Sequence, residues 1–110
     1  MGKPYIKKSR EKLRGSILLI LYEIKKKRVI ELKKDTLEAK KAVATLTSWR
    51  GELKEIGQSI GNYESVEFNK LELKGRIFQL IKEMQNEPYL KKKVKAIIQK
   101  LKSIKTDLEN

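Results

Sequence analysis

The stretch LKKKVKAIIQKLKSIKTDL, residues 90–108, sets Leu90, Val94, Ile97, Leu101, Ile104 and Leu108 at alternating steps of four and three. Those steps keep the six side chains on one side of a 3.6-residue helix, so the segment predicts an amphipathic helix with a single apolar face to bury. Its other positions are largely lysine. Asn86, Glu87 and Pro88, just ahead, predict a break, because proline suits a first helical turn and disfavours helix in the residue before it.

Upstream of that break the three-and-four spacing recurs over most of the chain. A helix capped near Asn62 or Ser65 carries Phe68, Leu71, Phe78 and Ile81 beside Leu73, Ile77, Leu80 and Met84, an apolar surface wide enough to meet more than one neighbour. From Val29 the stripe consists of Leu32, Ala39, Val43, Leu46, Leu53, Ile56 and Ile60, five of them (Leu32, Ala39, Leu46, Leu53, Ile60) at strict sevens. A helix over that span would be about 48 Å long. Thr36, Arg50 and Gly57 interrupt the alternate seam positions, which favours packing inside a bundle over a two-stranded coiled coil. Gly57, Gly61 and Asn62 mark its end. Trp49 falls on the stripe and reads as core.

The first helix is expected to start near Ser9, a good cap, with Leu13, Ile17, Ile20 and Ile24 on one face and Leu18 and Leu21 widening it. Residues 1–8 then form a basic, flexible arm. The run Lys25, Lys26, Lys27 and Arg28 shifts the phase, so the chain either bends there or continues as one helix.

No β-like alternation is sustained anywhere and only two prolines occur. The fold class expected is therefore all-α: one domain over residues 1–110, an antiparallel bundle of four helices (three to five), one of them long. A second organisation is two related helical hairpins. Leu13, Arg14, Gly15, Ile17, Leu18, Ile20, Leu21, Glu23 and Ile24 match Leu73, Lys74, Gly75, Ile77, Phe78, Leu80, Ile81, Glu83 and Met84 at a constant offset. Gly15 and Gly75 would then let their helices approach closely. The plainer explanation is that two amphipathic helices with the same stripe look alike.

Composition narrows the chemistry. With 110 residues, 39% of them apolar, the chain supports one modest core. Cysteine is absent, which suits a reducing compartment such as the cytoplasm. Histidine is absent too, removing the commonest general base, metal ligand and nucleophile partner. Glu52 with Glu55, and Glu64 with Glu67, share a helical face but read as surface charge rather than a metal or acid/base site. Gly51, Gly57 and Gly61 are too widely spaced for a phosphate loop. No enzyme, metal or cofactor is expected.

The longest apolar run, Ile17 to Tyr22, falls far short of a bilayer span, so no integral membrane association is expected. It lacks a following small-residue cleavage site, and Ile6 stands where a myristoylation motif wants Ser or Thr.

The formal charge is +13, too large for self-contained surface pairing. A lysine-rich surface typical of a hot source is the bland reading, but it normally brings matching glutamate, which is missing here. The excess lies in the N-terminal half and the last helix, with an acid-richer stretch, Gly51 to Leu73, between them. Lys26, Lys33 and Lys40 recur by sevens, as do Lys93 and Lys100, and read as rows that could follow a phosphate backbone. Lys7 and Lys8 add to the N-terminal charge, and Arg10 and Arg14, one turn apart, are best suited to directional contacts. Tyr5, Tyr63 and Tyr89 at ends and loops offer thin support for base stacking, and Tyr22 reads as a rim residue.

The function expected first is binding of nucleic-acid phosphates, DNA or RNA, alone or as a subunit of a nucleoprotein assembly. A helical protein partner of acidic character, or homo-oligomerisation, is the alternative. A peripheral binder of anionic membranes stands third, since the basic faces offer few bulky apolar residues for insertion.

Overall fold

The computed structural model describes the backbone of residues 4–61 and 70–109 and the side chains of 11–60 and 71–108. Four helices account for nearly all of it: α1 (Pro4–Leu32), α2 (Leu37–Gly61), α3 (Lys70–Gln85) and α4 (Lys95–Glu109). Among the described residues there is no strand, and the helices make an antiparallel four-helix bundle. The expected caps Asn62 and Ser65, and Phe68, lie outside the described residues.

Helix α1 starts at Pro4, not near Ser9, so residues 4–8, expected to precede the helix as an arm, fall within its span. A proline in the first turn has no N–H to leave unsatisfied and a φ already helical. The helix runs through Lys25–Arg28 and closes only at Leu32, where Lys33 and Lys34 donate backbone N–H bonds to the carbonyls of Ile30 and Glu31, tightening the final turn. Thr36 then starts the next helix: its hydroxyl oxygen accepts from the Ala39 N–H at 3.1 Å, an N-cap contact. The continuous helix expected over 29–60 is therefore divided between two elements. The longest helix is α1, with 29 residues against 25 in α2.

The break at Asn86–Pro88 falls where proline predicts it. Helical turns continue through residues 86–94, with Lys91 and Val94 donating to the carbonyls of Glu87 and Leu90, and the Glu87 carboxylate caps the Leu90 N–H. Leu90, Val94, Ile97, Leu101, Ile104 and Leu108 are all buried.

Helix α1 packs on α2 and α4, and α3 packs on α4 and, more sparingly, on α2. The result is a rod with extents of 56 × 20 × 19 Å. Its core draws Leu13, Ile17, Ile20 and Ile24 from α1, and Leu46, Trp49, Leu53, Ile56 and Ile60 from α2. Leu73, Ile77, Leu80, Ile81 and Met84 of α3 meet the α4 stripe. On the thin side, the Arg76 guanidinium bridges α3 to α2, with Nε 2.9 Å from Glu52 Oε1 and Nη2 2.9 Å from Glu55 Oε2. The Glu52/Glu55 pair is thus an interhelix clamp.

The two matching segments also match in burial: Leu13 with Leu73, Ile17 with Ile77 and Ile20 with Leu80 face the core, while Leu18 and Phe78 are exposed. Leu18, Leu71 and Phe78, expected to enlarge the core, are exposed instead, the Phe78 ring lying under the ammonium groups of Lys82 and, from α4, Lys105, 5.6 and 4.9 Å from its centre. The close approach expected at Gly15 and Gly75 is absent, since a Cβ at either would meet nothing within 4 Å. The approach occurs instead at Gly57, whose Cβ would lie 3.3 Å from Ile17 Cγ2. Gly15→Ala and Gly75→Ala are accordingly expected to stabilise the fold by roughly 0.5–1 kcal/mol each, the helical penalty of glycine with no packing loss to offset it. Urea unfolding checks this; destabilisation at either site would reveal a contact.

Candidate functional site

Both short connections within the hairpins, 33–36 between α1 and α2 and 86–94 between α3 and α4, lie at the same end of the rod. The contact that brings them together is built around Glu31, which falls one step beyond Ile24 and Lys27 on the inward stripe of α1 and is 2% exposed. Its carboxylate accepts from Lys93 Nζ at 2.8 Å, from the Tyr89 hydroxyl at 2.8 Å and from Lys34 Nζ at 3.2 Å. Lys93 Nζ also sits 3.9 Å from the centre of the Tyr89 ring. Burial pushes the Glu31 carboxyl upward, but the donors from Lys93, Tyr89 and Lys34 outweigh it and hold the group below its ordinary value. Lys93 is shifted the opposite way: burial pulls it down, and the hydrogen bonds to Glu31 and Tyr89 raise it above the usual range for lysine.

This charged knot gathers residues far apart in sequence into one basic end. Lys33 and Lys34 follow α1, and Lys40 and Lys41 open α2. Lys91, Lys92 and Lys95 surround the start of α4, and Lys25, Lys26, Lys27 and Arg28 occupy the turns of α1 just before it. Most of these side chains are exposed. Arg28 is tethered, its Nε donating to Thr47 Oγ1 at 3.0 Å.

The expected rows fare differently. Lys26, Lys33 and Lys40 do not form one: the chain reverses at 33–36, leaving Lys26 on α1, Lys33 in the connection and Lys40 on α2, 3.9 Å from Asp35. They share an end of the molecule, not a helical face. Lys93 is not a free cation but the partner of the buried Glu31, so it does not extend a row with Lys100, which lies on α4. Lys7, Lys8 and Arg10 belong to the first turns of α1, with side chains outside the described residues; Arg14 is exposed there, away from the basic end. The nine candidates are thus not gathered in one place: Lys26, Lys33, Lys40 and Lys93 belong to the basic end, Lys7, Lys8, Arg10 and Arg14 to the far part of α1, and Lys100 to α4 between them.

Glu31, Tyr89 and Arg76 carry the principal polar contacts between elements, roles that sequence reasoning does not assign to them. Only Glu31 leaves a signal, as an acid sitting in step with the apolar stripe of α1. Trp49 is core, as its spacing predicts, while Tyr22 is 57% exposed, with Lys26 Nζ 5.1 Å from its ring centre. Leu18, Leu19, Val29 and Ile30 are exposed near it. The expectation that basic faces carry few bulky apolar residues therefore fails on α1. Among the described residues, no helix is long and apolar enough to cross a membrane.

No protein-family model, curated protein or solved structure matches this chain.

Proposed function

We propose that this protein binds nucleic-acid phosphates through the basic end of its bundle and catalyses no reaction. The observation that carries the reading is the convergence of two lysine-rich connections on one end, held by the Glu31–Lys93–Tyr89 contact. Charge scattered only for solubility has no need of such a meeting. The groups are mostly ammonium, compact point charges without the planar fork that reads guanine, which suits neutralisation of phosphates with weak sequence preference.

The test is binding of the full chain to a fluorescent mixed-sequence duplex and to an RNA of similar length across a salt series. Both should bind at low salt. Four or more phosphate contacts would weaken binding about 100-fold between 50 and 200 mM salt, because each contact releases counterions. No binding at low salt, or binding indifferent to salt, would overturn the reading.

A further inference from the structure

Helix α1 carries a second seam. Its inward face runs Leu13, Ile17, Ile20, Ile24, Lys27 and Glu31, in steps of four and three. On nearly the opposite side Gly15, Leu18, Tyr22, Lys25, Val29 and Leu32 also recur at alternating steps of three and four, the spacing by which one helix meets another along its length. Among the described residues no other helix meets it: α1 packs on α2 and α4 alone, leaving Leu18 62%, Val29 41% and Leu32 55% exposed. Bulky apolar residues at this spacing on an unpaired face are not what solvation alone requires.

The flanks of this seam state what would cover it. The positions beside it are Arg14, Leu21 and Arg28 on one edge, Arg28 also reaching Thr47 of α2, and Leu19 and Lys26 on the other, with Lys33 following where the helix ends. They include four cations and no carboxylate, and charges at flanking positions select the partner of a helical seam. A second copy of this chain is a poor fit. In parallel pairing one edge faces the other edge of the partner helix and Arg28 comes beside Lys33; in antiparallel pairing like edges meet, so Arg14 comes beside Arg28 and Lys26 beside its own image, on molecules already carrying +13. A bilayer fits less well too, since Lys25 and Lys26 fall in the middle and divide the apolar surface, where an inserting face needs continuity. We infer that the outer face of α1 docks an amphipathic helix from another protein, one with apolar residues at heptad spacing between rows of glutamate or aspartate. Lys25 within the seam, opposite a carboxylate, fixes the register, as a polar seam residue does in helical pairs.

The probe is a synthetic helical peptide of about three heptads, with leucine at the seam positions and glutamate on both flanks, whose own repulsion keeps it from self-pairing. Its control has the same composition with the leucines shuffled off a common face. The full chain should bind the heptad peptide at least tenfold more tightly than the control in fluorescence anisotropy. Leu18→Gln combined with Val29→Gln, both at exposed sites, should abolish that preference while leaving helicity and salt-dependent nucleic-acid binding intact. Equal binding of the two peptides, or a preference unchanged in the double variant, overturns the inference. So does self-association of the native chain that the double variant abolishes, which would give the seam to a second copy. Flotation with phosphatidylserine vesicles that the variant abolishes, without any peptide preference, would give it to lipid.

Discussion

Replacing Glu31 with alanine is expected to destabilise the protein by about 3 kcal/mol, the low end of the cost of removing one member of a buried ion pair. The loss arises less from the missing attraction than from the groups left behind: a part-buried Lys93 ammonium and a Tyr89 hydroxyl with no acceptor. In thermal unfolding this corresponds to a drop of about 10–15 °C for a domain of this size. Glu31→Gln, which keeps an acceptor for Tyr89, should lose less. The acid limb carries an independent check. The folded-state carboxyl is held below its ordinary value, so between the two values the unfolded chain binds more protons and stability rises with pH. Its contribution is therefore fully present above the ordinary carboxylate value of 4.5 and disappears as pH falls through the lower folded value. The stability gap between the native chain and Glu31→Gln, measured by urea unfolding, should narrow below that pH. A gap independent of pH would show that the charge contributes nothing.

Removing charge from the basic end should have the second large effect. Lys33, Lys41, Lys92 and Lys95 lie around the two connections, and none is among the partners of Glu31, which are Lys34, Tyr89 and Lys93. Changing all four to glutamine is expected to weaken duplex or RNA binding at least 100-fold at about 100 mM salt and to make the salt slope shallower by about 3–4, close to one per lost phosphate contact. The comparison that gives this meaning is a charge-matched set toward the other end: Lys12, Lys54, Lys102 and Lys105 changed to glutamine. That variant should stay within a few-fold of the native chain. Equal losses in both would mean that net charge, not the basic end, governs binding.

The parts of this architecture legible in the sequence are those where one spacing decides. The α4 stripe and the buried Trp49 need only periodicity, and Pro88 marks its own break. The division between α1 and α2 is less visible, because Lys25–Arg28 looks like a change of phase while Thr36, the actual cap, looks like a flaw in a longer seam. The connection holds no glycine or proline, so no backbone preference announces the reversal. That misplacement has two consequences. It strings Lys26, Lys33 and Lys40 into a row that the turn dismantles, and it cuts the outer seam of α1 between Tyr22 and Val29. Glu31 is hidden for a different reason: an acid on an apolar stripe reads as the end of the stripe until the topology supplies Lys93, 62 positions along the chain.

That separation bears on how the protein comes apart. Each hairpin is assembled from helices close in sequence, whereas the Glu31 contacts to Tyr89 and Lys93 close a loop of roughly sixty residues and must await both hairpins. Interactions that form after the transition state act on the unfolding rate. In a denaturant chevron, Glu31→Ala should therefore raise the unfolding arm and leave the folding arm nearly unmoved, making this contact the latch that sets the lifetime of the native molecule rather than the speed at which it is reached.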